Sequence, residues 1–390
     1  MSSIYIAKGK EDRIYKGHSW IYSGDITGVE GEYVNGDIVE VFAHNGRFIG
    51  KGYVNDNSKI AVRMLTRLDE EIDESFFEKR ISQAMEYRDV IAPKITSKRL
   101  IYSEGDNLPG IIVDQYEDVL VVQILSLGID IRRDMIIDIL KRKTGISKVY
   151  ERSDSKTRYL EGLEPKAGFI GGEFSTKFDM IENGFKMKID VENGQKTGYF
   201  LDQRENRASI AQYVEGGEVL DCFCHTGSFS VHAVGYGAKK VTAVDVSESA
   251  IEMAKANLEL NNPDCDCDLI IDNVFDVLRQ YERERKEFDV VILDPPAFTK
   301  SRAAVDAALR GYKDINMRGA KIVKEGGYLL TASCSHHVSE GDFLEMTKEA
   351  LADARRIGRL IEVRTQAKDH PIALGIPETK YLKFLAFQLF

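Results

Sequence analysis

EVLDCFCHTGSFSVHA, residues 218–233, opens with a short apolar run, reaches an acid at Asp221 and breaks at Gly227 before an amphipathic stretch. That order reads as a strand whose carboxyl end carries a loop into a helix. It recurs downstream. KVTAVDV (240–246), DLIIDN (268–273), FDVVILD (288–294) and GYLLTAS (327–333) are further short strand candidates, rich in Val, Ile and Leu, with helical stretches between them. Parallel strands covered by helices on both faces have this near-continuous apolar character. From about residue 185 onward the chain is therefore expected to form a doubly wound, Rossmann-like α/β sheet.

Ligands of such sheets bind beyond the carboxyl ends of the strands, near the point where strand order reverses. A dinucleotide would want Gly-x-Gly-x-x-Gly after the first strand, so that backbone amides approach the pyrophosphate. Between Asp221 and Gly235 this loop has only Gly227, and it opens on an acid that repels phosphate. The second strand ends at Asp245, 24 residues after Asp221, a spacing at which a carboxylate accepts from ribose hydroxyls. The third ends at Asp272 and Asn273, which can accept from an exocyclic amine and donate to a ring nitrogen. This ordered set fits an adenosyl ligand without phosphates and with a cationic centre, as in S-adenosylmethionine. Taken singly, each of these side chains reads equally well as a helix cap.

The chain has 390 residues, more than one compact core usually holds, so two or three domains are expected. The formal charge of −10 argues against coating nucleic acid by bulk electrostatics. It leaves room for a local basic groove, and KSRAAVDAALRGYKDINMRGAK (300–321) carries an excess of Lys and Arg. No stretch approaches the ~20 apolar residues that cross a bilayer, and the N-terminus lacks a signal-peptide core. Five cysteines, none before Cys222, suit a reducing compartment, with the cytoplasm as the natural location. Residues 1–70 read as a small all-β unit, with a hairpin signalled by DIVEVF, the Asn45-Gly46 turn and RFIGKGYV. Residues 71–183 read as a small α+β domain: a helix over 73–92, strands in GIIVDQY and DVLVVQIL, a helix near 131–143, and KVYERSD. The α/β domain then occupies 184–390.

Two further strand tips carry chemistry. Asp294 ends a buried strand and is followed by Pro295 and Pro296, which donate no backbone hydrogen bond and leave outward carbonyls as acceptors. A base with an exocyclic amine can donate to these while Phe298 stacks on its face. The same tripeptide is also a plain strand-terminating turn. TASCSHH (331–337) leaves three readings of Cys334: a nucleophile, a zinc ligand with His336 and His337, or a small buried side chain. The remaining cysteines form C-x-C pairs, 222/224 and 265/267, rather than the C-x₂₋₄-C spacing of common zinc sites. No metal is therefore expected. Asp202 followed by Glu205 reads as a capping box for a helix through 203–214.

GQKTGYFLDQRENR (194–207), VLDCFCHTGSFSVHA, VDVSESAIEMAKAN, DNVFDVL, LDPPAF and SCSHH follow one another in an order that resembles the class I methyltransferases of the large-subunit (23S) rRNA cytosine-C5 type. GHSWIYSGDI and GDIVEVF…GRFIGKGYVN…IAVRML resemble the N-terminal PUA domain of that family, so the likeness spans nearly the whole chain. The resemblance implies that Lys196, Thr197 and Phe200 lie in a segment that closes over S-adenosylmethionine. It implies that Asp221, Phe223 and Gly227 form the methionine-side loop, with Asp245 on the ribose and Asp272 and Asn273 on the adenine. It places the nucleophile at Cys334, with Asp294 as the acid near the cytosine; position 297, which carries a cysteine in some relatives, is alanine here. The implied partner is RNA, 23S rRNA or a large-subunit precursor, with no membrane role and a homodimer left open. Two rivals share the fold: a guanine methyltransferase with Cys334 inert, and a non-catalytic ribosome-assembly factor.

Overall fold

The computed structural model describes residues 2–262, 264–299 and 301–390. The chain forms two compact units, and their segments interleave. The first comprises the chain up to Phe178, Ile189–Leu201 and Lys368–Thr379; the second comprises Asp179–Lys188, Asp202–Ala367 and Lys380–Phe390.

The first unit contains two sheets. Strands Trp20–Tyr22, Ile60–Thr66, Phe48–Val54, Ile38–Ala43, Ser3–Ile6 and Ile26–Glu30 lie in that order in a six-stranded sheet. Val39, Val41 and Ala43 alternate inward while Ile38, Glu40 and Phe42 face the other way, as the alternation in DIVEVF predicts. The turn at Asn45-Gly46 closes through Ala43 N–H to Arg47 O at 2.9 Å. The second sheet orders Lys166–Phe169, Lys148–Ser153, Val119–Ile124, Ile111–Tyr116 and Lys98–Tyr102. Helices Glu74–Ile91 and Arg133–Thr144 cover it. The first of these starts where Asp73 accepts from Phe76 N–H at 3.0 Å, and it buries Phe76, Phe77 and Ile81 in the sheet's core. Each such side chain contributes about 1.5–3 kcal/mol. Arg88, on the same helical face, is fully buried because Asp106 pairs with its guanidinium and Asp369 O accepts at 2.7 Å.

The second unit is built on seven strands: β1 Glu218–Cys222, β2 Lys240–Asp245, β3 Cys267–Ile271, β4 Phe288–Leu293, β5 Val323–Ser333, β6 Gly358–Arg364 and β7 Lys383–Leu389. Their order is β3-β2-β1-β4-β5-β7-β6. The first five run parallel, and β7 inserts antiparallel between β5 and β6. Five longer helices follow the strands: α1 Ser228–Gly235, α2 Glu248–Asn261, α3 Val274–Glu284, α4 Val305–Lys321 and α5 Glu340–Asp353. Neighbouring residues of β2 serve opposite faces. Val244 joins the core made with α3, α4 and α5, whereas Ala243 packs with Cys224 and with Ile251 of α2. Strand order reverses between β1 and β4, which puts the crevice for a ligand at the tips of β1, β2 and β4.

Three expectations need correction or extension. The helix read through 203–214 is split into Arg204–Ser209 and Ala211–Val214, and Asp202 does not cap it. Asp202 instead accepts from the Tyr381 hydroxyl at 2.5 Å, and Gln203 stands at the N-cap without a side-chain cap bond. β5 begins at Val323 rather than Gly327, and β6 and β7 extend the sheet beyond the five strands read from sequence. The turn of the hairpin Lys177–Glu182/Phe185–Asp190 falls at Asn183-Gly184, where the domain boundary is expected.

Candidate active site

The loop after β1 is held in an unusual backbone. Phe223, His225 and Gly227 have φ of 62°, 50° and 75°, so three of five consecutive residues sit in the left-handed region. A Cβ on Gly227 would stand 2.8 Å from Ala254 Cβ, so glycine is required both by φ and by the close approach of α2. Asp221 is fully buried, and Ser230 Oγ donates to its Oδ2 at 2.6 Å. Its Oδ1 and the hydroxyl of Thr226 are buried without a hydrogen-bond partner. Burial, reinforced by the charges of Asp294 and Asp245, pushes the Asp221 carboxyl up to about 7.

Asp245 at the tip of β2 is half-buried. Its two oxygens accept from His225 N–H and Ser247 N–H, each at 2.9 Å, which fixes the carboxylate with lone pairs to spare. Asp272 and Asn273 follow β3 and are exposed. Asn273 caps α3, accepting from Phe275 N–H at 2.9 Å, so the cap reading holds for its oxygen and leaves its amide nitrogen available to donate.

Beyond β4, Asp294 is half-buried, Pro295 buried and Pro296 exposed. Gln203 Nε2 donates to Asp294 Oδ1 at 2.8 Å, and Gln203 Oε1 accepts from Asn206 Nδ2 at 2.6 Å. Phe298 lies in an aromatic group with Phe223, Phe275 and Tyr312, its ring centroid 4.5 Å from that of Tyr312. Tyr312, on α4, also reaches the neighbouring tip, where its hydroxyl lies 2.9 Å from Ser335 Oγ. One side chain thus ties the Asp-Pro-Pro loop to the loop after β5. The β4–β5 register pairs Leu293 with Thr331, so Asp294 and Cys334 leave adjacent parallel strands at the same edge. Cys334 is half-buried and outside any disulfide, whereas Cys222 and Cys224 are buried and their thiols are pushed well up by that burial. His336 and His337 are exposed, and the His336 ring stacks on Tyr381 at 5.2 Å. Among the described residues no group of three His, Cys, Asp or Glu side chains is placed to hold a metal ion.

Lys196, Thr197 and Phe200 belong to the first unit. Lys196 is exposed with Nζ 4.6 Å from the Phe200 ring centroid. Thr197 is buried; its hydroxyl donates to Asp114 at 2.6 Å and lies 2.9 Å from the Tyr116 hydroxyl. In the basic run 300–321, Lys300 lies outside the described residues. Lys313, Arg318 and Lys321 pair with Glu349, Asp353, Asp314 and Glu282, so much of this run is a compensated helix face. Gln203, Tyr312 and Tyr381 escaped sequence reading. Nothing in their spacing distinguishes them from ordinary helix and strand residues.

Comparison with known proteins then decides the family. The S-adenosylmethionine-dependent methyltransferase family model matches residues 155–374, and a PUA-like domain matches residues 4–67. The chain belongs to the S-adenosylmethionine-dependent methyltransferases. It is 42% identical over 390 residues to ribosomal RNA large subunit methyltransferase I of Aeromonas hydrophila, with 98% of each chain covered. A SAM-dependent methyltransferase structure from Streptococcus mutans matches with a TM-score of 0.85, 21% identity and full coverage of both chains. A second solved methyltransferase, in complex with SAH, matches with a TM-score of 0.84, 21% identity and full coverage of both chains. The methyltransferase uses S-adenosylmethionine, and its second unit fits that group. The unpaired Asp221 Oδ1 and Thr226 hydroxyl mark a loop built to receive polar atoms, and the Asp245 carboxylate stands where a ribose is bound in such sheets.

Proposed function

We propose that this methyltransferase forms 5-methylcytosine in large-subunit (23S) rRNA through a covalent adduct on Cys334. The observation that carries the reading is the pairing of Asp294 and Cys334 at adjacent strand tips, with Tyr312 packed on Phe298 and bonded to Ser335. The name carried by the Aeromonas relative and the PUA-like domain support RNA as partner, with residues 1–70 and 71–183 positioning it and 184–390 doing the chemistry. That substrate places the protein in the cytoplasm.

Cytosine C5 is a poor nucleophile. Addition of the Cys334 thiolate to C6 pushes electrons into the ring and makes C5 enamine-like. Asp294, held by Gln203, takes the N3/N4 edge, with the carbonyls around Pro295 and Pro296 accepting from the exocyclic amine and Phe298 meeting the base face. The cofactor supplies the electrophilic methyl group. After C5 is methylated, a base removes its proton and the C6–S bond breaks, restoring the aromatic ring and the thiolate. On the cofactor side, Asp221, Phe223 and Gly227 shape the methionine loop, Asp245 holds the ribose, and Asp272 and Asn273 read the adenine. The roles implied for Lys196, Thr197 and Phe200 predict weaker SAH binding in Lys196→Ala and Phe200→Ala.

The test is to incubate the protein with unmodified rRNA and labelled cofactor and then map the modified base. Label on cytosine C5, lost by at least about 10³-fold in Cys334→Ala, supports the reading. Label on guanine with Cys334→Ala active would replace it with the guanine rival.

A further inference from the structure

A buried lysine faces the loop that carries Cys334. Lys383 opens β7, and the β5–β7 ladder sets it opposite Ser333, the residue before the thiol. Its Nζ donates to Ser335 O at 2.6 Å, on the other side of Cys334, and to Tyr381 O at 2.7 Å. Lys383 is only 3% exposed, and among the described residues no carboxylate pairs with its Nζ. A buried ammonium held by two carbonyls and no counter-ion is an expensive group to keep, and a thiolate is the partner that would justify it.

We propose that Lys383 is a positioning residue that keeps Cys334 ionised, its ammonium serving as counter-charge to the sulfur. The thiol proton leaves to solvent; no other bond breaks and no co-reactant is needed. Burial pushes Lys383 down to about 8, and Cys334 is the first of the surrounding charges that opposes this fall. The other groups acting there are Lys380, which lowers it further, and Glu340 at the start of α5, which raises it. Tyr312 of α4 bonds the Ser335 side chain, and its own hydroxyl is pushed up by burial, with Cys334 contributing. The His336–Tyr381 stack flanks the same loop.

This inference rests on Cys334 as nucleophile, but its test reads ionisation rather than turnover. The full-length protein is pulsed with iodoacetamide across a pH series, and alkylation of the Cys334 peptide is read by mass spectrometry. The wild-type midpoint is expected at least ~1 pH unit below the ordinary thiol value of about 8.5. Lys383→Met should raise it by about 1 unit, and Lys383→Arg should restore most of the shift, with folding of each checked by SAH calorimetry. A wild-type midpoint at or above the ordinary value overturns the proposal, whether or not Lys383→Met folds. So does an unchanged midpoint in a folded Lys383→Met protein. A low, Lys383-dependent midpoint beside full methylation by Cys334→Ala would uphold the ion pair and remove the covalent mechanism instead.

Discussion

Asp114 in the first unit and Asp221 in the second are both fully buried carboxylates, yet their surroundings differ in kind. Asp114 receives two bonds from Arg99 at 2.8 Å each and a third from Thr197 at 2.6 Å. Asp221 receives one side-chain bond, from Ser230, keeps an unpaired oxygen, and forms no ion pair among the described residues. The low-dielectric interior penalises an unpaired carboxylate, so Asp221 is pushed up to about 7. A saturated buried acid is part of the architecture. An unsaturated one at a strand tip, under a loop with three left-handed residues, keeps an acceptor open for a polar ligand group.

Substituting each acid separates the two roles. Asp114→Asn strands Arg99 and should lower unfolding free energy by about 3–5 kcal/mol in urea titrations. Near pH 4, where the folded chain holds the Asp221 proton, Asp221→Asn should leave stability within about 1 kcal/mol, because an amide then replaces a neutral carboxyl. If both variants lost stability equally, the distinction would fail.

The pH dependence sharpens it. Asp221 titrates near 7 in the folded chain against an ordinary value of 3.8. Below 3.8 both folded and unfolded chains hold the proton and there is no penalty. As pH rises toward about 7 only the unfolded chain ionises, so stability contributed at this site falls, and it levels off above that. Urea midpoints should therefore decline over this window in the wild type, and Asp221→Asn should lack that component. A smaller effect is expected in binding: calorimetry should show SAH affinity about 10-fold weaker in Asp221→Asn and little changed in a folded Asp114→Asn protein, a difference of about 1.4 kcal/mol. The smallest is Thr197→Val, which removes the bonds to Asp114 and Tyr116 and should cost about 1 kcal/mol of stability by the same urea assay.

Much of the second unit was legible because parallel strands are short apolar runs with polar tips, and the tips announce themselves as Asp221, Asp245, Asp272 and Asp294. β6 and β7 were not. RLIEVR is mostly exposed at the sheet edge, and Lys383–Leu389 is an apolar run that pairs with β5, 50 or more residues upstream, as well as with β6, pairings no local pattern encodes. The capping-box reading of Asp202 was locally sound and lost to a tertiary bond from Tyr381. Gln203 and Tyr312 tie down the loops after β4 and β5 by hydrogen bonds across the fold, and Lys383 stands beside the Cys334 loop only because β7 inserts next to β5. Such contacts follow from topology, and sequence spacing carries no trace of them.

The proposed covalent route requires the sulfur of Cys334 to bond to cytosine C6. Incubating the full-length protein and S-adenosylmethionine with rRNA transcribed to contain 5-fluorocytosine tests it directly, because fluorine at C5 blocks the proton removal that frees the enzyme. A stable protein–RNA adduct is expected whose digested peptide carries the nucleotide on Cys334, with no adduct from Cys334→Ala. Full turnover of the normal RNA by a protein that forms no adduct with the fluorinated one would contradict it.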